Sequence, residues 1–177
     1  MISKKTTNPV ETNKRREFLK TGLLAVGAAT VLPSNVVFGG IMPSDKVNLA
    51  GIGIGHRGGE ILKALHATGL VNVVALCDVD MGSKHTQSVL EMFPNVPRFR
   101  DFRQMFDKMG NQIDAVTVGT PDFSHFPITM LALSEGKHVY VEKPMARTFN
   151  EIELMMAAAK KYNVATQMGN QGHSGAN

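Results

Sequence analysis

The segment Gly53-Ile54-Gly55-His56-Arg57-Gly58 carries three glycines at the spacing of a phosphate-binding loop. Gly53 permits a tight turn, Gly55 lets the backbone approach a pyrophosphate, and Gly58 lets the following helix pack closely against the preceding strand. Free N–H groups at the start of that helix favour an anion. A strand precedes and a helix follows, so the segment predicts dinucleotide binding, with His56 and Arg57 placed near the cofactor by position alone.

An acidic residue at the end of the second predicted strand narrows the choice of dinucleotide. Asp78 lies in the region about 20 residues after the glycines where a carboxylate binds the ribose hydroxyls. That carboxylate would repel a 2′-phosphate, so the sequence predicts NAD rather than NADP. Asp80 is a weaker ribose ligand, and Lys84 is an alternative partner for a 2′-phosphate, although a solvated lysine is the simpler interpretation.

Two further motifs follow the fourth and fifth predicted strands: Thr120-Pro121-Asp122-Phe123-Ser124-His125 and Glu142-Lys143-Pro144. Open α/β sheets bind ligands at the carboxyl ends of their strands, where both motifs are placed. A lysine beside a bound nicotinamide suits proton transfer. The alternative is a surface lysine paired with Glu142. The simplest role for His125, from its position in the chain, is to cap the helix that it begins.

Alternating strands and helices position these residues. Apolar and β-branched runs predict six strands, and 3.6-residue periodicity with capping signals predicts the helices between them. The strands are Val47–Ile52, Val71–Cys77, Arg98–Phe99, Ile113–Gly119, His138–Val141 and Val164–Met168. The helices are Gly58–Thr68, Ser83–Met92, one capped by Asp101, His125–Ser134, and one opened by the capping box Thr148–Glu151, with Ile152, Met155, Met156, Ala159 and Tyr162 on one face. This order predicts an α/β fold with a Rossmann-type, doubly wound parallel sheet.

The composition indicates an ordinary globular protein and argues against a nucleic-acid-binding protein. The 177 residues are 43% hydrophobic and 19% charged, as in an ordinary globular protein. The net charge of +4 comes largely from the first twenty residues, so the remainder has no nucleic-acid footprint. Cys77 is the single cysteine and lies in an apolar run, which indicates a buried, inert thiol. We assign no metal site.

The N-terminal residues 1–40 have the composition of an export signal and linker. The basic segment Lys14-Arg15-Arg16-Glu17-Phe18-Leu19-Lys20 is followed by an uncharged stretch from Thr21 to Ser44. Its apolar part is too short to span a bilayer comfortably, which takes about 20 residues. This basic segment followed by an apolar one resembles a twin-arginine signal. It predicts that the twin-arginine export machinery is a partner and that the protein is periplasmic. Anchoring by an uncleaved signal and a simple amphipathic or disordered tail are the alternatives.

The glycine loop, the Thr120–His125 motif and Glu142-Lys143-Pro144 together resemble the Gfo/Idh/MocA oxidoreductases. The resemblance implies an N-terminal Rossmann domain that binds NAD(P) and a C-terminal α/β domain that supplies most of the substrate pocket and often mediates homo-oligomerisation. It implies that Lys143 lies near the nicotinamide and orients the substrate hydroxyl. Glu142 and Pro144 would hold that lysine, and the peptide bond before Pro144 is often cis in the family. Thr120, Pro121 and His125 would flank the cofactor.

The resemblance also predicts the domain organisation. Residues 46–169 form the NAD-binding domain, and residues 170–177 begin a connection to a C-terminal substrate domain that the sequence does not contain. We expect a fragment of a longer enzyme rather than a standalone domain. Gln171 and His173 follow the sixth strand and are within possible reach of the pocket.

Three functions are compatible with these features. The first is an NAD-dependent oxidoreductase that acts on a hydroxyl group of a small-molecule sugar or cyclitol. The second is an exported NAD-dependent glycoside hydrolase, which oxidises a sugar hydroxyl transiently and eliminates the glycoside. The third is an NAD-binding module without catalysis.

Overall fold

Strands and helices alternate throughout the part of the chain that the structure describes. The computed structural model describes residues 46–170 and 172–173. The predicted signal in residues 1–40 and Gln171 lie outside the described residues. The strands are β1 (Val47–Ile52), β2 (Val71–Cys77), β3 (Arg98–Phe99), β4 (Ala115–Val118), β5 (His138–Glu142) and β6 (Thr166–Gly169). The helices are α1 (His56–Ala67), α2 (Lys84–Met92), α3 (Phe102–Met109), α4 (His125–Ser134) and α5 (Phe149–Tyr162), with short 3₁₀ turns at Gly110–Gln112 and Asp122–Ser124.

The six strands form one parallel sheet with the order β3-β2-β1-β4-β5-β6. The chain builds outward from β1 through β2 to β3, then returns to the other side of β1 with β4. The direction of winding therefore reverses between β1 and β4, where Ile52 pairs with Val118. This arrangement is the predicted doubly wound Rossmann-type sheet, and its switch point is where such folds bind their ligands.

Helices cover both faces of the sheet because successive strand residues point to opposite sides. Leu49 packs with Leu62 of α1 and Val89 of α2, whereas Ala50 belongs to the core on the opposite face with Met155 of α5. All five are buried. No helix in the described residues is long and apolar enough to cross a membrane.

Two predicted strands are shorter or shifted in the structure. The fourth begins at Ala115 rather than Ile113, because Ile113 closes a 3₁₀ turn before sheet pairing starts and is buried there. The sixth runs over Thr166–Gly169 rather than Val164–Met168, because Asn163 takes a left-handed conformation at the end of α5 and delays the strand.

The predicted buried face of α5 is wrong at two positions. Met155 is buried as expected, but Met156 is 67% exposed and Tyr162 lies at the surface, while Ala158 is buried instead. Successive helical residues are about 100° apart, so the residue after Met155 turns away from the sheet. The predicted capping box is present, with Thr148 and Glu151 each accepting a backbone N–H bond from the other.

The first βα turn brings helix and strands into backbone contact. Gly53 has a φ of +74°, which favours glycine. A Cβ atom on Gly58 would overlap the carbonyl oxygen of Gly53 and would lie 3.2 Å from the Cα atom of Gly119. Helix α1 therefore starts directly against the ends of β1 and β4, and no side chain larger than hydrogen fits between them.

We expect Gly58→Ala to destabilise the domain by about 1–3 kcal/mol, because the added methyl group overlaps backbone that cannot move aside cheaply. Urea denaturation followed by circular dichroism measures the change. Gly110→Ala is the matched control, since Gly110 is in a right-handed helical conformation and a Cβ atom added there would meet no atom within 4 Å. A stable Gly58→Ala variant that binds NAD normally would contradict the predicted close packing.

Candidate active site and nucleotide cavity

A cavity of about 450 Å³ lies at the carboxyl ends of β1, β2 and β4. Its walls come from the glycine loop, from the end of β2, and from the turn that follows β4. The cavity brings together these predicted cofactor ligands: Gly53, Gly55, His56, Arg57, Asp78, Thr120 and Pro121. Of the remaining predicted ligands, Gly58 lies against Gly53 and Gly119, His125 is buried, and Glu142 and Lys143 lie at the end of the neighbouring strand β5.

Asp78 connects the end of β2 to the glycine loop. Its Oδ2 atom accepts a hydrogen bond from the Ile54 N–H at 2.9 Å, and its Oδ1 atom accepts one from the Asp80 N–H at 2.9 Å. Each carboxylate oxygen has a second lone pair, so Asp78 retains acceptor capacity for ribose hydroxyls. The same carboxylate therefore orders the loop and faces the cavity.

His85 contacts the glycine loop, a role that the sequence analysis does not predict. A Cβ atom on Gly55 would overlap the His85 imidazole ring. That ring stacks on His56 with centroids 4.9 Å apart, and its Nε2 atom lies 3.5 Å from an Asp80 carboxylate oxygen. The contact joins α2 to the loop across the fold, so no local sequence pattern signals it.

Part of the cavity lining is apolar and largely exposed. Val79 is 79% exposed and Phe123 is 69% exposed, and both line the cavity with Pro121 and Phe102. Large apolar side chains left open beside a polar loop are typical of a ligand site. The combination of a glycine cradle for a diphosphate, a carboxylate for a ribose and an apolar wall for a flat base fits NAD.

Cys77 lines the same cavity but is 3% exposed. Burial, with smaller contributions from the charges of Asp78 and Asp101, raises the pKa of the thiol to about 12. The neutral thiol is a poor nucleophile. The predicted inert character of Cys77 is therefore supported by its surroundings.

Glu142 is buried and forms an ion pair with the glycine loop. Its Oε1 atom lies 3.5 Å from Nε of Arg57, whose Nη1 atom donates to Glu60 at 2.9 Å. The bond to Glu60, followed by the charge of Glu142, raises the pKa of Arg57 against the opposing effect of desolvation. The alternative prediction of a Lys143–Glu142 surface pair is wrong, because Glu142 points to Arg57 instead.

Lys143 follows Glu142 at the end of β5 with its side chain exposed. Its backbone N–H donates to the Gly169 carbonyl of β6 at 3.3 Å, and the peptide bond to Pro144 is cis. Within the described residues its ammonium group makes no hydrogen bond or ion pair. The backbone is thus held while the amino group is free to meet a ligand.

His125 does not cap its helix, contrary to the simpler prediction. It is the first residue of α4, is 1% exposed, and places Nδ1 2.6 Å from the Pro144 carbonyl oxygen and Nε2 2.7 Å from the Thr120 carbonyl oxygen. The tight 3₁₀ turn at Asp122–Ser124 folds the chain back, so the ring points between the two motifs rather than towards the free N–H groups of the helix.

His173 is exposed in a turn and is not part of the cavity wall. Its N–H donates to the Asn170 carbonyl oxygen at 3.1 Å. Within the described ranges, no group of three or more His, Cys, Asp or Glu side chains could hold a metal ion.

The fold and the cavity define a dinucleotide-binding domain, and comparison with known families identifies which one. The model of the Gfo/Idh/MocA family, described as an oxidoreductase family with an NAD-binding Rossmann fold, matches residues 47–170. The chain belongs to this family, and its cofactor is NAD.

Curated relatives extend well beyond the aligned region. A glycosyl hydrolase family 109 protein of Shewanella pealeana is 31% identical over 83% of this chain and 37% of its own length. A second protein of that description, from Solibacter usitatus, is 29% identical over 80% of this chain and 35% of its own length. The chain thus spans about a third of the length of these curated relatives.

Solved structures share the fold. A dehydrogenase from Chromobacterium violaceum is 30% identical with a TM-score of 0.63, covering 71% of this chain and 36% of that one. The WlbA dehydrogenase from Bordetella pertussis, in complex with NADH and UDP-GlcNAcA, is 22% identical with a TM-score of 0.63, covering 73% of this chain and 39% of that one.

Asp78→Asn should lower NAD affinity by about tenfold or more, since hydrogen bonds to a charged group contribute about 1.5–3 kcal/mol. It should also reduce discrimination against NADP, because the repelling charge is gone. Isothermal titration with both cofactors measures the two effects. Asp80→Asn is the matched control and should have a smaller effect, since the Asp80 side chain is 64% exposed. Equal losses in both variants would contradict the assignment to Asp78.

Cys77 should resist a thiol-specific reagent in the folded protein at pH 8, because a group with a pKa of about 12 keeps its proton there. Unfolding in guanidinium should release one reactive thiol per chain, and absorbance after reaction with a disulfide reagent counts it. Rapid labelling of the folded chain at pH 8 would contradict the burial of Cys77.

Proposed function

We propose that this chain is the cofactor-binding part of an oxidoreductase that acts on a hydroxyl group of a sugar or cyclitol, with Lys143 as its proton-handling residue. The observation that carries the proposal is the position of Arg57. This side chain lines the nucleotide cavity and pairs with Glu142, the residue directly before Lys143. The lysine is thereby tied to the cofactor site.

The residues that line the cavity fit NAD, because the glycine loop suits a diphosphate and the apolar side chains suit a flat base. Gly53, Gly55 and the α1 N-terminus would hold the pyrophosphate, Asp78 the adenosine ribose, and Phe123 one side of the base. When bound, the nicotinamide supplies the acceptor for the two electrons that leave the substrate carbon.

Lys143 would act on the substrate hydroxyl itself. Its neutral amine would accept a hydrogen bond from the substrate hydroxyl, which orients that group, and would take the hydroxyl proton to become the ammonium as the carbonyl forms. The buried Glu142 and the backbone bond to Gly169 hold the lysine backbone, which limits where the amino group can reach.

Two observations support a carbohydrate substrate. A structural neighbour was solved with a nucleotide sugar bound, and the curated relatives are described as glycosyl hydrolases. The relatives favour a second candidate, NAD-dependent glycoside hydrolysis, in which the cofactor returns to its starting redox state in every turnover. A non-catalytic NAD-binding module is the third possibility.

The segment that resembles a twin-arginine signal also supports a proposal for where the protein is located. We propose export to the periplasm by the twin-arginine machinery, with or without cleavage of the signal, and homo-oligomerisation of the full-length protein. A protein that binds a cytoplasmic nucleotide benefits from folding around it before export. Little free NAD is available for exchange afterwards, which favours retention of the cofactor through the catalytic cycle.

Lys143→Ala in the full-length protein should lower kcat by about 10²–10⁴-fold, the usual contribution of a positioned acid or base. NAD affinity should stay within about twofold, since the lysine acts on the hydroxyl rather than on the nucleotide. Steady-state kinetics and calorimetric titration measure the two quantities. Lys108→Ala, an exposed lysine on α3, is the matched control. Undiminished turnover with normal NAD binding would exclude this role.

Product analysis separates the candidate functions. Net NADH formation from a free sugar supports the dehydrogenase. Cleavage of an aryl glycoside without net NADH, by protein whose cofactor survives dialysis, supports the hydrolase. Tight NAD binding without turnover of any sugar or glycoside by the full-length protein supports the binding module.

A further inference from the structure

The His125 ring lies between two hydrogen-bond acceptors. Nδ1 is 2.6 Å from the Pro144 carbonyl oxygen and Nε2 is 2.7 Å from the Thr120 carbonyl oxygen. A carbonyl oxygen only accepts, so both ring nitrogens must donate. A neutral imidazole carries one N–H and would direct a lone pair at the other carbonyl at close range. Both contacts can be hydrogen bonds only if the ring is an imidazolium.

The two carbonyls belong to different parts of the site. Thr120 lines the nucleotide cavity and touches the glycine loop, since a Cβ atom on Gly53 would lie 2.6 Å from the Thr120 nitrogen. Pro144 directly follows Lys143. His125 is thus the link in a continuous chain of contacts from the glycine loop to the lysine.

We propose that His125 is a positioning residue which, as a buried imidazolium, holds Pro144 to the turn after β4 and so fixes Lys143 relative to the bound cofactor. The catalytic part of this statement rests on the proposed role of Lys143; the protonation and clamping of His125 do not. Charge-assisted hydrogen bonds are shorter and stronger than neutral ones, which suits a clamp made by a single ring.

Some groups around the His125 ring disfavour a positive charge on it, and others favour one. His125 opens α4, where the positive end of the helix dipole disfavours a cation. The two carbonyl dipoles that contact the ring favour it. The titratable residues of the elements packed against α4 are Asp122 in the preceding turn, His138, Tyr140 and Glu142 on β5 with Lys143 directly after them, and Glu151, Glu153, Lys160, Lys161 and Tyr162 on α5. Within the described residues, the ring nitrogens of His125 make their hydrogen bonds to the two carbonyls and to none of these groups. With 1% exposure the ring has little access to water, so the carbonyls must supply its stabilisation.

Nitrogen NMR of the ¹⁵N-histidine-labelled chain tests the protonation state directly. The His125 resonances are assigned from their loss in His125→Gln, and free histidine in the same buffer provides the neutral reference. At pH 7.5 we expect both His125 ring nitrogens to show the shared shift of an imidazolium. A neutral pattern with one protonated and one bare nitrogen would overturn the proposal, whatever the fate of Lys143.

Kinetics of the full-length enzyme test the positioning role. Glutamine presents both of its N–H donors from one nitrogen and cannot span the two carbonyls as the two ring nitrogens do. His125→Gln should therefore lower kcat on the order of 10²-fold, as a small misplacement of a reacting group does. The NAD dissociation constant should change little, and the backbone amide resonance of Lys143 should shift in the labelled chain. His66→Gln, at an exposed position on α1, is the matched control.

The outcomes of these experiments separate the proposed role of Lys143 from the proposed positioning role of His125. If Lys143→Ala retains activity while His125 is an imidazolium and the Lys143 amide shifts in His125→Gln, the proposed function fails and the clamp stands. If Lys143→Ala is inactive but His125→Gln has normal kcat and an unmoved Lys143 amide, the positioning role is overturned. Should His125→Gln fail to fold, the His125 ring resonances are assigned by through-bond correlation to the backbone, and the NMR of the unmodified chain decides.

Discussion

Direct contact between backbone atoms at Gly53, Gly58 and Gly119 determines where everything else in the site can be. Because no Cβ separates α1 from the ends of β1 and β4, the helix N-terminus points into the space above the switch point of the sheet. The same closeness brings the turn after β4 against the glycine loop. Diphosphate binding and the placement of the Thr120–His125 motif thus follow from one steric condition.

Polar side chains then join the strand ends to each other. Asp78 joins β2 to the glycine loop by accepting the Ile54 N–H, Arg57 reaches the buried Glu142 at the end of β5, and His125 connects the turns after β4 and β5. Each link sets a polar or charged side chain against partly buried partners, where electrostatic interactions are stronger than in water. Four strand ends therefore act as one platform, which is how residues far apart in sequence can share a ligand.

The sequence predicts the sheet, most element boundaries and the glycine loop because each depends on local pattern: apolar runs, capping residues and glycine spacing. The family motifs locate Lys143 for the same reason. What sequence reasoning misses are contacts across the fold. Arg57 and Glu142 are 85 residues apart, and His85 meets Gly55 only because α2 packs beside the loop. Helix capping is the simpler local interpretation of His125, since nothing nearby in the sequence reveals the Pro144 carbonyl.

The end of β6 has an implication for how this domain can vary. A Cβ atom on Gly169 would overlap the Glu142 carboxylate and lie 2.9 Å from the Tyr140 hydroxyl oxygen, so a side chain there would have to push these side-chain ends aside. A larger residue at position 169 displaces the Glu142 carboxylate, and a displaced or shortened side chain at position 142 weakens the pairing with Arg57. Substitutions at positions 57, 142 and 169 are therefore expected to affect one another, and a redesign of the surroundings of Lys143 should consider all three together.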